Sequence, residues 1–559
     1  MTAGESLMLK LIKQQWLTVL LVLSVGVTPA LAQVQSAKPM AVIAINNYND
    51  LSKDIGWVAD MVGPPGTSAM IEAQGAQFAQ MFDTTKPIGI VVQSDGVLGA
   101  KVLGFIPTNN LQQLVGMLAL FGMTAQPTDG GLLELQTGAT PVYIKEGQGW
   151  AFVSNNKETL ANVPADPVPL LGGLEKEYDV AIKGNVDAVP PVFMQLAMSQ
   201  VQAGLQASTA QPLPGETEQA FEARRAQAMQ SMEEMQKALN DMKSLTVGLN
   251  IDQTRESVYF DFGFDFKEGS ESARSMDYSD VTTNLSAFAG DNAAVTMSMA
   301  GKIDPIQGAQ AAAQIDMVRD QALNQLENDP NIPTEELRAI AIKSVATLVD
   351  VVNGTMAAGE FDMSASMTMD DGMGAIGAVR AAQADSLEAV FRELVTVAKE
   401  QDPEFPPVQL DALKHAGATF HTMSIPIPPF DPQTQAIFGE AVDISVGMSE
   451  DYIYFGLGKG NLEKIKSAID VSAANKGVEA DVMKMEMSAS KILTFAAEQA
   501  QDPTLQQAAS AAGSKDKARM MIIPIENGAK FRMELESGVL KAISIGAQAL
   551  QPQLDESPF

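Results

Sequence analysis

Three stretches of the chain alternate strictly between apolar and polar positions. Val258, Phe260, Phe262, Phe264 and Phe266 share one side of an extended segment; Tyr259, Asp261, Gly263, Asp265 and Lys267 share the other. Phe361, Met363, Ala365, Met367 and Met369 face away from Asp362, Ser364, Ser366, Thr368 and Asp370. Phe531, Met533 and Leu535 oppose Lys530, Arg532, Glu534 and Glu536. A period of two marks a strand. One-sided alternation predicts antiparallel sheet with the apolar side on the core and the polar side in water. Longer apolar periodicities predict helices over 67–82, 110–121, 190–205, 306–326, 334–349 and 387–399, with Pro190-Pro191 and Pro333-Thr334-Glu335-Glu336 as helix starts.

The pattern also repeats. Trp150-Ala-Phe152-Val-Ser-Asn-Asn-Lys157-Glu-Thr-Leu160-Ala-Asn-Val163 aligns without a gap on Tyr452-Ile-Tyr454-Phe-Gly-Leu-Gly-Lys459-Gly-Asn-Leu462-Glu-Lys-Ile465. The same offset carries Asp179-Val180 onto Asp481-Val482 and Phe193 onto Phe495. Smaller offsets bring Ala41-Val42 onto Ala294-Val295, Leu103, Leu111 and Leu114 onto Val379, Leu387 and Val390, and Ile251 onto Ile525. The order is kept throughout, which points to tandem duplication. The fold class expected is α+β, with two similar tandem units, each a mainly antiparallel sheet covered by helices. Unit one is set at 33–275 and unit two at 288–559. The polar, Ser-rich join within Glu268–Asn284 reads as a linker, placed at 276–287. An extra segment, Ala210–Lys243, accounts for a drop in the offset and belongs to unit one only.

Composition narrows the chemistry. The 559 residues include 37 Lys+Arg, 68 Asp+Glu, 2 His and no Cys. Absence of cysteine removes disulfides, thiolate metal sites and thiol nucleophiles. A net charge of −31 disfavours nucleic acid and anionic membranes as partners. Lys10 and Lys13, the apolar run Trp16–Val27 and Ala30-Leu31-Ala32 read as a secretory signal over 1–32, with Met8 an alternative start and an uncleaved anchor the other reading. No later run is apolar enough for a membrane span. The mature chain is therefore expected to be exported, periplasmic or extracellular.

Candidate sites are few. His415 and His421 lie six apart, and with a carboxylate they are two ligands of a Zn or Fe site; ordinary packed or surface histidines are the plainer reading. Gly456-Leu-Gly458-Lys459-Gly460 sits between a strand and a helix, as a phosphate loop does, but lacks the G-x-G-x-x-G and G-K-[ST] patterns. The matching turn, Ser154–Glu158, has no glycine, so left-handed backbone positions that Asn also tolerates explain both. Asp261-Phe262-Gly263 matches a kinase motif without its companions. Met483, Met485, Met487, Met363, Met367, Met369 and Met373 suggest either soft-metal capture or core filling, and core filling fits their place on alternating strands better. Asp370-Asp371 and Glu233-Glu234 are not distinguished from the general acidity. No catalytic, cofactor or metal residue is assigned.

Residues 217–243 carry a heptad seam, Phe221, Ala228, Met232, Met235, Leu239 and Met242, interrupted by Arg225. The helix packs on its own unit or docks a protein partner or a second copy. The aromatic strand with Ser154-Asn-Asn-Lys-Glu-Thr-Leu160 resembles a class of uncharacterised exported bacterial proteins of planctomycete type, built on a domain of unknown function. That resemblance implies an envelope location and carries no functional residues. The expectation is an exported, non-enzymatic binding or scaffold protein of the cell envelope. The alternatives are a carrier of an apolar small molecule or lipid between sheet and helices, and a carboxylate-based hydrolase.

Overall fold

The computed structural model describes residues 38–555 except 65, 96–98, 109, 121–122, 137–140, 214–215, 330–331, 333, 371 and 403. The signal segment 1–32 lies outside the described residues. The chain is α+β and forms two compact units, one up to Thr254 with Val258–Ala273, the other Arg255–Ser257 with the chain from Arg274 onward.

Among its described residues unit one has ten strands: β1 (Ala41–Ile45), β2 (Ile88–Ser94), β3 (Ala100–Pro107), β4 (Thr124–Thr128), β5 (Leu132–Gln136), β6 (Val142–Gly147), β7 (Trp150–Ser154), β8 (Val180–Gly184), β9 (Met242–Asp252) and β10 (Ser257–Phe266). They pair in the order β4-β5-β6-β7-β3-β2-β1-β8-β9-β10. Helices α1 (Tyr48–Val62) and α2 (Thr67–Ala79) follow β1, α3 (Leu111–Leu120) follows β3, and α4 (Pro191–Ser208) and α5 (Glu218–Asp241) follow β8. Asn47 starts α1 by accepting the Asp50 N–H on its side chain. One side of the sheet packs Leu111 and Leu114 of α3 on Ile90, Val102, Ile144 and Val153. The other buries Val42, Phe105, Phe152, Leu160 and Tyr178.

Among its described residues unit two also has ten principal strands: β11 (Val295–Lys302), β12 (Glu360–Thr368), β13 (Gly374–Arg380), β14 (Val408–His415), β15 (Ala418–Pro426), β16 (Ala441–Met448), β17 (Tyr452–Leu457), β18 (Met483–Ser488), β19 (Lys517–Ile525) and β20 (Gly528–Glu536). Their order is β14-β15-β16-β17-β13-β12-β11-β18-β19-β20, all antiparallel. That order repeats unit one strand for strand. Helices α6 (Pro305–Asn328) and α7 (Glu335–Ala358) follow β11, α8 (Ser386–Gln401) follows β13, α9 (Asn461–Ala474) follows β17, α10 (Ala489–Ala500) and α11 (Pro503–Ala512) follow β18, and α12 (Ser537–Asp555) follows β20. Side chains of Asp304, Thr334, Ser488 and Asp502 cap α6, α7, α10 and α11 at their first free N–H groups. Most residue pairs matched in the sequence fall on equivalent elements: Trp150 opens β7 and Tyr452 opens β17; Ile251 lies in β9 and Ile525 in β19. Leu160 and Val163 lie outside any helix, whereas their matches Leu462 and Ile465 lie in α9.

Three expectations change. Residues 210–243 are not peculiar to unit one, because α11 occupies in unit two the place that α5 occupies in unit one. The two differ in length, ten residues against twenty-four, and this difference supplies about half of the drop in offset. Met242, the last seam residue, belongs to β9. Within 276–287, Val281 and Leu285 are buried, and Leu285 packs with Phe288 against Ala378, Tyr454 and Ile465 of unit two. The apolar residues of this stretch outweigh its polar composition. Finally, α7 is long and apolar enough to cross a membrane, by length and composition only. Its Lys343 reaches Glu393 of α8 at 2.6 Å, and its Asn353 reaches Asp316 of α6 at 3.1 Å.

Candidate functional site: an open methionine face

The strands with the clearest alternation are turned the opposite way from the sequence expectation. On β12 the buried positions are Asp362, Ser364 and Ser366, while Phe361, Met363, Ala365 and Met367 are partly exposed. On β20 Glu534 and Glu536 are each 7% exposed, whereas Met533 is 54% and Phe531 40% exposed. Antiparallel register collects the apolar positions of unit two into rows, because residues directly opposite each other project to the same side. Met297 lies opposite Met485, Met485 opposite Met520, and Met520 opposite Met533. The row on one side of it runs Met363, Met299, Met483, Ile522, Phe531, and the row on the other side Met367, Val295, Met487, Ala518, Leu535. Five strands and three rows make a patch of about 19 Å by 14 Å. None of its methionines is buried. The expectation that they fill the core is therefore corrected: they line the open side of the sheet.

Polar groups occupy the closed side, where the charged ones pair with one another. Arg519 donates to Glu486 at 2.8 Å and to Glu536 at 2.9 Å, and the Lys517 ammonium lies 3.1 Å from Glu486. The Lys517 backbone N–H donates to Glu536 at 2.9 Å. Asp516 accepts from the hydroxyls of Ser488 and Ser490. Burial by itself would raise Glu486; the bonds from Arg519 and Lys517 outweigh it and hold the carboxyl below its usual range. Asp516 is likewise held low by the serines against the cost of burial. On β12, Asp362 accepts from the Thr283 hydroxyl and the Asn284 N–H, both at 2.7 Å, and this fastens the 281–288 segment over the small side chains Ser364 and Ala378.

Unit one shows the same inversion at its β8–β10 end. Ile182, Leu249 and Phe260 are exposed, while Asp261 is 1% exposed and accepts from the Tyr178 hydroxyl at 2.9 Å. This bond accounts for the kinase-like Asp261-Phe262-Gly263, which is plain strand.

The two histidines do not meet. His415 on β14 and His421 on β15 project to opposite sides, since His415 pairs with Ala418 and His421 lies an odd number of positions further on. His415 Nε2 lies 2.7 Å from Asp470 of α9. His421 is buried, stacks 5.1 Å from Phe391, and accepts the Asp411 N–H on Nδ1 at 3.2 Å. Burial first and Arg392 second push its pKa down, so the ring is neutral with its proton on Nε2, 4.0 Å from Glu388. Arg392 joins Glu388 and Asp411 at 3.0 Å each, closing a knot around the bulge between Gln409 and Leu413, where Asp411 has φ +53°.

The glycine turn is structural. Gly458 and Gly460 have φ of +84° and +69°, and Asn461 ties the turn by donating to the carbonyls of Gly458 and Asp443. The matching unit-one turn uses no left-handed residue among 154–160. Its backbone is held by Ser154, which accepts from the Asn156 N–H, and by Asn156, which accepts from the Glu158 N–H. The shared explanation for the two turns therefore fails, and side-chain caps do in one what glycines do in the other. Along α5, the seam residues Phe221, Ala228, Met232, Met235 and Leu239 are half-buried; Met229, off the seam, is 64% exposed.

One acid pair escaped the sequence. Asp54 of α1 and Asp179, just before β8, hydrogen-bond each other, with Gln253 donating to Asp54 at 2.8 Å and the Ile251 N–H to Asp179 at 2.7 Å. Burial, then Asp179, raises Asp54 to about 6. The partners lie far apart in sequence, so no local signal could reveal them. Among the described residues no group of three His, Cys, Asp or Glu is placed to hold a metal ion. An open groove of about 640 Å³ between α9 and residues 286–291 is lined by Ile376, Val471 and several small side chains, with Asp291, Glu463 and Lys464 among them. The chain matches no protein-family model, no curated protein and no solved structure.

Proposed function

We propose that the protein is an exported, non-enzymatic binding protein of the cell envelope that carries an amphiphile by its alkyl chain on the methionine face of unit two. The observation that supports this is the inverted sheet: charged groups sit on the closed side, and the other side carries rows of partly exposed methionines with Met520, Met533 and the Phe531 ring exposed. Leaving that much apolar surface exposed carries a cost unless something covers it. Methionine adapts to irregular alkyl shapes, and each methylene taken from water contributes about 0.8 kcal/mol. The strongly negative chain favours a neutral or cationic headgroup. The two units descend, on this reading, from one module copied in tandem; the common strand order and the matched residues on equivalent strands support it.

The test is titration of the purified chain with a fluorescent long-chain alkylammonium probe. Saturable binding is expected, weakened about tenfold or more by Met520→Asp or Met533→Asp, since either places a charge beside the bound chain. Binding that ignores both substitutions, or no binding, overturns the proposal.

A further inference from the structure

Strand preference does not account for methionine on this face. β-Branched and aromatic residues suit a pleated surface better, and a plain apolar platform could be built from them. Here four thioethers instead stand directly opposite one another on four adjacent strands: Met297, Met485, Met520 and Met533. Directly opposed side chains have Cβ atoms about 5 Å apart, and each methionine has three torsions with which to swing its sulfur toward its neighbours. Met520 and Met533 are 41% and 54% exposed, so neither is locked by packing.

We propose that Met485, Met520 and Met533 form a thioether site for a soft monovalent cation, Cu(I) or Ag(I). Neutral sulfur donors select such ions over Zn²⁺, Mg²⁺ or Ca²⁺, which take nitrogen or oxygen. The chain has no thiol to compete. Its net charge of −31 concentrates cations near the surface without supplying soft ligands. A thioether has no proton to lose on binding, so uptake is independent of pH over the range where imidazole and thiol sites weaken. The site shares the face proposed for the alkyl ligand but does not depend on that ligand.

The experiment uses the full chain under anaerobic, reducing conditions, with Cu(I) offered in competition with a chromophoric Cu(I) chelator and Zn(II) as control. The protein should withdraw Cu(I) and not Zn(II), with the same affinity at about pH 5.5 and 7.5. Replacing each methionine by leucine keeps volume and apolarity and removes only sulfur. M520L should weaken Cu(I) binding about tenfold, and M485L/M520L/M533L should abolish it. Circular dichroism and the urea midpoint verify the fold and stability of each variant. Loss of Cu(I) uptake in a triple leucine variant that is folded and as stable as the parent supports the site. Failure of the parent to withdraw Cu(I), or equal uptake by the triple leucine variant, overturns it.

Discussion

Arg519 lies directly opposite Glu486 across β18 and β19 and donates to it at 2.8 Å, on the side of the sheet turned away from the methionines. With Glu536 and Lys517 it makes the closed side of these strands ionic. Removing one member leaves its partners partly buried and uncompensated. Arg519→Met should therefore destabilise the chain by about 3 kcal/mol, measured by urea unfolding. Glu486 titrates lower in the folded chain than its ordinary value of 4.5. The associated stability is complete above that value and is lost as pH falls through the folded pKa. Acid unfolding should begin at a higher pH in Arg519→Met than in the parent.

The Asp54–Asp179 pair has the opposite sign. Asp54 is raised from 3.8 to about 6, so the folded chain holds a proton that the unfolded chain has released. Its contribution is present below 3.8 and disappears as pH rises through about 6. Asp54→Asn keeps an acceptor for Gln253 and cannot ionise. The variant should be more stable than the parent at about pH 8, by about 1 kcal/mol, with no advantage at about pH 4. Thermal unfolding at the two pH values checks this.

The Tyr178 hydroxyl donates to Asp261 in a buried contact of unit one. Tyr178→Phe removes the hydroxyl donor and leaves the carboxylate short of one bond, at a cost of about 2 kcal/mol. Burial, followed by Asp261, pushes the phenol above its usual range. Spectrophotometric titration should show one fewer late-ionising tyrosine in the variant.

The glycine turn separates strain from contact. Alanine at Gly460 meets open space at φ +69° and should cost about 1 kcal/mol. Alanine at Gly458 adds a Cβ 2.5 Å from the Met373 carbonyl oxygen at φ +84°, and should cost about 3 kcal/mol or more. Equal losses in the two variants would contradict this account of the turn.

The sequence by itself determined the α+β class, the strands with period two, most of the helices and the correspondence between the two halves, because local alternation, capping residues and repeated order are all properties of neighbours along the chain. It also determined which side chains share a face: Phe361, Met363 and Met367 could not be separated from one another, nor Glu534 from Glu536. It did not determine which face is closed. Alternation is symmetric in that respect, and the usual assignment of the apolar side to the core assumes that covering elements land there. In unit two the tertiary structure laid residues 281–288 over Ser364 and Ala378 and gathered Glu486, Arg519 and Glu536 into one network, so polar groups were closed in by pairing with one another. Strand register, set over separations far longer than any local signal, then aligned Met485, Met520 and Met533 on the open side.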